Sequence, residues 1–219
     1  MIITISRELG AGGSEVARQV ADALGWRVVD NELVDQIAAR TGLSPAEVRE
    51  REERAPGFLE RLIRMLTKAA PEMLTPAAEH VPELEEAHLV KMTQTVVEEI
   101  AREGRVVLVG RAAPVVLSRD RDAIHLKIVA PKARRVQAVM ARLGIGPDEA
   151  AAEVETSDAN RKRYHEQYYE RDWNDASYYH LVLNTAALGI PHTVATIVGR
   201  AKTLWPHETR ERRVPPPTP

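Results

Sequence analysis

The sequence predicts an α/β fold of three layers: a five-stranded parallel sheet between helices, with a helical insertion and a helical lid added to it. Three observations carry this. Short Val-, Ile- and Leu-rich runs recur at residues 1–6, 26–30, 105–110, 123–130 and 180–185, and the segments between them place apolar residues at helical spacing. The third run, Arg105-Val-Val-Leu-Val-Gly110, is continuously apolar, as a strand covered on both faces should be. Strands that alternate with helices close into a doubly wound parallel sheet, because each parallel connection must cross over the sheet.

The first strand, Met1 to Ser6, enters the turn Arg7-Glu-Leu-Gly10-Ala-Gly12-Gly13-Ser14, which opens into a helix from Glu15 to Gly25 with Val16, Val20 and Leu24 on one face. Glycines allow positive φ and let the backbone N–H groups curl inward, and the helix adds a partly positive N-terminus, so an anion is favoured there. Set against the Walker A pattern of Gly, four residues, Gly, Lys and Ser or Thr, the stretch registers as Arg7, Gly12, Gly13 and Ser14. The last glycine and the hydroxyl are kept; the first glycine and the lysine are absent. On these residues alone the turn is either a phosphate cradle or a plain tight connection.

Trp26 to Asp30 reads as a second strand ending in an acid, and Asn31 as the cap of a helix that uses Leu33, Val34, Ile37 and Ala38. Ser44-Pro45-Ala46-Glu47 starts the next helix. From there to about residue 80 the pattern is helical, interrupted at Pro56-Gly57, Pro71 and Pro76, and it contains no strand signal. With the long helix Pro82 to Arg102 it forms an insertion over about residues 44–103. Its apolar face of Phe58, Leu59, Leu62, Ile63, Met65 and Leu66 suits the cover of a substrate cleft, a structural pack, or a homodimer surface. His80 and His88 have no partners at metal-ligand spacing.

Arg111 follows the third strand directly. Ligands of open parallel sheets bind beyond the carboxyl ends of the strands, so a cation there can meet an anionic substrate, or else pair with a surface acid. After the fourth strand, Pro131 opens a helix carrying Arg134, Arg135, Val136, Val139 and Met140, and Gly144-Ile-Gly-Pro147 ends it and begins another. That helix runs to about Tyr169 with Asp158, Arg161, Lys162 and Arg163, and Arg171 follows. Alternating charge fits a solvated face, or a lid over about residues 145–175 that brings arginines to the site. The fifth strand, His180 to Thr185, and a helix from Pro191 to about Leu204 complete one domain over residues 1–205; the proline-rich, charged segment 206–219 reads as a disordered tail.

Composition narrows the chemistry. With 219 residues, a net charge of −2 and no cysteine, the chain offers no disulfide, no thiolate nucleophile, no Cys-based zinc site and no broad positive field for nucleic acid. No apolar run approaches the ~20 residues of a membrane span, and no signal-peptide pattern opens the chain. The expectation is a cytoplasmic protein with a small-molecule partner, no nucleic acid and no membrane.

Five pieces, in order, carry a resemblance: Ile5-Ser-Arg-Glu-Leu-Gly-Ala-Gly-Gly13, Val109-Gly-Arg111, Asp158-Ala-Asn-Arg161 with Tyr164, Asp172-Trp173, and Leu181-Val-Leu-Asn-Thr185. From Met1 to about Arg200 the chain resembles the cytidylate kinase-like proteins of the P-loop nucleoside monophosphate kinase group. The resemblance implies a P-loop NTPase-like fold and transfer of the ATP γ-phosphoryl group to a nucleoside monophosphate, CMP or a related nucleotide, with Mg²⁺. Carried over by position, Gly10, Ala11, Gly12, Gly13 and Ser14 hold the donor phosphates, with Arg7 the cation available in place of the missing lysine. Arg111 matches the arginine of a Gly-Arg-Asp motif that contacts the acceptor, and Asp158 and Arg161 match an Asp-x-x-Arg pair that grips it. Arg163 is a further candidate, beside Arg111 and Arg161, for stabilising the transferring group. Ser14 is the candidate Mg²⁺ ligand, with Asp30 and Glu8 as carboxylates near it, and Asp30 also stands on the acceptor side after strand two.

The chain departs from that group at four places. The P-loop lysine is missing, the aspartate of Gly-Arg-Asp is Ala112, and a second lid arginine four residues before Asp158 is Val154. The hydroxyl-and-glycine motif after strand two is replaced by Asp30-Asn-Glu-Leu33. An alternative reading follows: a catalytically weak nucleotide- or anion-binding module that retains the kinase fold.

Overall fold

In the computed structural model the described residues are 1–30 and 82–206, with side chains from residue 90 in the second stretch. The helix after Asn31, the 44–80 part of the insertion with its homodimer face, His80, the side chain of His88 and the tail beyond residue 206 lie outside them.

Among the described residues a single sheet forms the middle layer. Its strands are β1 (Ile2–Arg7), β2 (Arg27–Val29), β3 (Val106–Val109), β4 (Ala123–Val129) and β5 (Leu181–Asn184). They run in the order β2-β3-β1-β4-β5 with every pairing parallel. β1 lies at the centre, flanked by β3 (Ile3 beside Val107) and β4 (Ile3 beside Ile124). The chain leaves β1 toward one edge and returns past it toward the other, so the carboxyl end of β1 is the switch point at which such sheets bind ligands.

The two sheet faces bury different residues because side chains alternate along a strand. Ile3, Ile5, Val107, Val109, Ile124, Leu126 and Ile128 pack against α1 (Gly13–Leu24) and α6 (Thr185–Leu204), through Val16, Val20 and Ile197. On the other face Ile2, Val106 and Leu108 pack against Val96, Val97 and Ile100 of α2 (Pro82–Glu103) and against α3 (Ala113–Val116). A third, smaller core joins α4 (Lys132–Leu143) to α5 (Pro147–Tyr169) through Val139, Ala150 and Val154.

Three helix ends fall where glycine was expected to stop them: Gly25, Gly104 and Gly144 have φ of 65°, 67° and 68°. The last helix differs. It begins at Thr185 rather than Pro191, because Asn184 caps it by accepting from the N–H groups of Ala186 and Ala187 at 3.0 and 3.3 Å. Gly189, at φ 74° and ψ 155°, then breaks the helical path before Pro191, so a first turn and the main helix are joined by a kink.

Candidate active site

The turn after β1 is built around glycines that touch other elements. Gly10 has φ 80°, and a Cβ on it would lie 2.5 Å from the carbonyl oxygen of Arg135. Gly12 has φ 81° and caps α1 without a side-chain acceptor, which leaves the first N–H groups of the helix open to an anion. Ala11 is tied from behind, its carbonyl accepting from Thr185 Oγ1 at 2.8 Å. The turn is therefore clamped between α4 and the start of α6.

A part-buried ion cluster completes the clamp. Asp158 accepts from the Leu9 backbone N–H at 3.2 Å, from Arg135 Nη1 at 2.5 Å and from Arg161 Nη1 at 3.5 Å. Arg135, whose side chain is 10% exposed, also donates Nε to the Ala130 carbonyl at 2.9 Å, and the same nitrogen stands 3.3 Å from Glu8 Oε2. Asp158 thus spans from α5 to the phosphate-sized turn. The sequence shows Arg135 only as a helix residue; its partners Asp158 and Leu9 are 23 and 126 residues away, a separation no local pattern reveals.

At the mouth of the turn Asp30 closes β2. Its Oδ2 accepts from Ser14 Oγ at 2.9 Å and its Oδ1 stands 3.4 Å from Arg7 Nη2. The candidate residues Arg7, Glu8, Gly10, Gly12, Gly13, Ser14 and Arg161 line one cavity of about 410 Å³.

A second, smaller cavity of about 60 Å³ opens beyond β3, lined by Ser6, Arg7, Gly110, Arg111, Arg161, Tyr164, His165 and Trp173. Arg111 reaches it through a run of left-handed backbone, φ 78° at Gly110, 57° at Arg111 and 50° at Ala112. Two non-glycine residues in that region store strain of about 1–3 kcal/mol each, a cost typical of functional turns. At about 10–15 Å³ of cavity volume per water, the cavity has room for a few waters, enough for a phosphate group. Arg7 and Arg161 line both cavities, and so mark their junction.

The floor of the small cavity is polar and buried. Trp173 Nε1 donates to Ser6 Oγ at 2.7 Å. Lys127, 3% exposed, donates to the Trp173 carbonyl and Asn174 Oδ1, both at 2.8 Å, and lies 3.9 Å over the Trp173 ring. Burial lowers the Lys127 ammonium to about 8. His165 is held down to about 4 by burial and by the Lys127 and Arg171 cations, and burial raises the Tyr164 hydroxyl well above its usual value. The signal for this floor is in the strands: Ser6 and Lys127, paired across β1 and β4, are polar in otherwise apolar runs.

Other candidates fall differently. Arg163 lines neither cavity; it donates Nη2 to Asn160 Oδ1 at 2.8 Å along its own helix. Val154, where a second lid arginine was expected from the resemblance, is 1% exposed in the α4–α5 core, a place that cannot take a charge. Among the described residues no group of three or more acidic, His or Cys side chains could hold a metal, and no helix is long and apolar enough to cross a membrane.

Two buried histidines make the fold acid-sensitive. His125 is buried beside Thr4 Oγ1, 2.8 Å from its Nδ1, and burial together with His180 lowers it to about 4, like His165. Between pH 4 and 6.5 the unfolded chain therefore binds more protons than the folded one, so stability should fall as pH drops through that window. The expected loss is about 3 kcal/mol per histidine. Urea melts at pH 7 and 4.5 check this, and His125→Gln should flatten the dependence.

The sheet order and the glycine turn that joins β1 to α1 are those of a P-loop kinase fold. The chain matches the cytidylate kinase-like family over residues 2–187. It belongs to that family. A cytidylate kinase of Methanothrix thermoacetophila is 30% identical over 188 residues, 84% of this chain and 88% of that one. Among solved structures, an uncharacterised protein of Eubacterium ventriosum superposes with a TM-score of 0.66 at 20% identity, covering 93% of this chain and 99% of the other. A shikimate kinase of Bacteroides thetaiotaomicron gives 0.51 at 15% identity, covering 94% and 98%. The structural likenesses establish the fold, and the family is one of nucleotide kinases.

Proposed function

We propose that the chain transfers the γ-phosphoryl group of ATP to a nucleoside monophosphate, CMP or a related nucleotide. The observation that carries this reading is the pair of cavities joined at Arg7 and Arg161: a large one over the glycine turn, suited to the donor phosphates, and a smaller one with room for a phosphate beside Arg111. Phosphoryl transfer depends on in-line placement and on charge stabilisation more than on covalent help from the protein. The N–H groups of residues 10–14 face the donor, Arg111 the acceptor phosphate, and Arg161 the group between them. Asp158 serves chiefly to hold Arg161 and the turn in register, since its oxygens are already engaged.

The donor set suits Mg²⁺. Ser14 Oγ and the Asp30 carboxylate are hard oxygen ligands 2.9 Å apart, and Mg²⁺ commonly takes one or two protein oxygens together with substrate phosphates and water. When bound, the ion would neutralise charge on the donor phosphates. Binding, orientation and exclusion of water remain with the side chains named above.

A panel of nucleoside monophosphates and small alcohols assayed with ATP and Mg²⁺ tests the reading. ADP formation should depend on a pyrimidine nucleoside monophosphate. ATP binding without turnover on any acceptor would instead favour a nucleotide-binding module that retains the fold.

A further inference from the structure

Resting on the kinase reading, we propose that Arg7 performs the work of the missing P-loop lysine, the cation and a glycine having changed places within the turn. The Walker A register puts Arg7 where that motif has its first glycine and Gly13 where it has lysine. Alone, this is two lost residues. The structure makes it a reciprocal exchange.

A Cβ on Gly13 would lie 2.5 Å from Arg7 Cβ and 2.8 Å from its Cγ. The stem of Arg7 therefore occupies the space a side chain at position 13 would start from. Further along, a Cβ on Gly110 would overlap Arg7 Nη1 and lie 3.1 Å from Cζ, so the guanidinium rests on bare backbone at the end of β3. Two glycines from different elements make the bed of one arginine. Neither could be larger while Arg7 lies there.

The head of that arginine is where a transfer cation is needed. Arg7 lines both cavities, and its side chain is 24% exposed: the stem is packed and the head reachable. Its contact with Asp30, at 3.4 Å, is long and part-exposed, so a phosphate can replace it. Asp30 then keeps Ser14. In the transfer an acceptor phosphate oxygen forms a bond to the γ-phosphorus as the bond to the β,γ-bridging oxygen breaks, and the electron pair leaves on ADP. A dianionic acceptor phosphate needs no proton transfer. Arg7 meets the charge that accumulates on the bridging oxygen, with a fork of N–H donors in place of the point charge of lysine.

The exchange can be reversed. Calorimetry with ATP and with adenosine, alongside acceptor-dependent turnover, would be run on the wild type, Arg7→Ala, Gly13→Lys and the double variant Arg7→Gly/Gly13→Lys. Arg7→Ala should weaken ATP by about 10–100-fold, the worth of a charged hydrogen bond, and leave adenosine unchanged. Gly13→Lys alone should weaken ATP as well, since two side chains compete for one space. The double variant should recover most of the loss. Wild-type ATP affinity in Arg7→Ala overturns the proposal whatever the double variant does, and so does a folded double variant no better than Arg7→Ala. Failure of the kinase reading shows separately, as ATP binding that depends on Arg7 without turnover on any acceptor.

Discussion

Arg111→Ala is expected to lower acceptor-dependent turnover by about 10²–10³-fold while leaving ATP affinity close to wild type. Arg111 lines the small cavity and not the large one, so its loss should fall on the acceptor side. The protein maintains two left-handed non-glycine residues, Arg111 and Ala112, to turn the chain there. Arg111→Lys should recover only part of the rate, because an ammonium keeps the charge and loses the bidentate fork. Arg161→Ala should differ in kind. Bordering both cavities, it should raise the KM for ATP and for the acceptor together as well as lowering kcat. Steady-state kinetics with each substrate varied in turn separates the two patterns, and unchanged turnover in both variants would remove these arginines from the site.

Asp158→Ala is expected to cost about 3 kcal/mol of stability, because it leaves Arg135 without its closest partner in a nearly buried place. For a domain of this size that is a fall of roughly 6–12 °C in Tm. The Leu9 N–H loses its acceptor at the same time, so the glycine turn should loosen and ATP affinity should fall even where the fold survives. A direct contact with the acceptor, as the resemblance implies, would instead leave Tm near wild type and raise only the acceptor KM. Thermal melts with calorimetry distinguish the two roles.

The sheet was legible because its signals are local. β3 is a bare apolar run, β1 and β4 are nearly so, and glycine closes α1, α2 and α4 at the residues where chain reversal needs positive φ. The turn and Arg111 were legible for a related reason: each directly follows a strand, and the carboxyl ends of parallel strands share one side of the sheet. What stayed hidden depends on distance or strain. The short helix at residues 113–116 begins from Ala112 at φ 50°, a conformation that alanine does not announce. The role of Asp158 rests on Leu9, 149 residues earlier, and helical spacing connects it only to Arg161. In the sequence Gly13 is only a missing lysine; that Arg7 lies across it is a contact in space.

The proposed transfer runs between two cavities that meet at Arg7 and Arg161. The direct measurement follows the label of γ-phosphate-labelled ATP incubated with the protein, Mg²⁺ and CMP. Label on the β-phosphate of CDP, in equal amount to the ADP formed, is the expected result. Label that remains on ATP, or appears only as inorganic phosphate whether or not CMP is present, would contradict it.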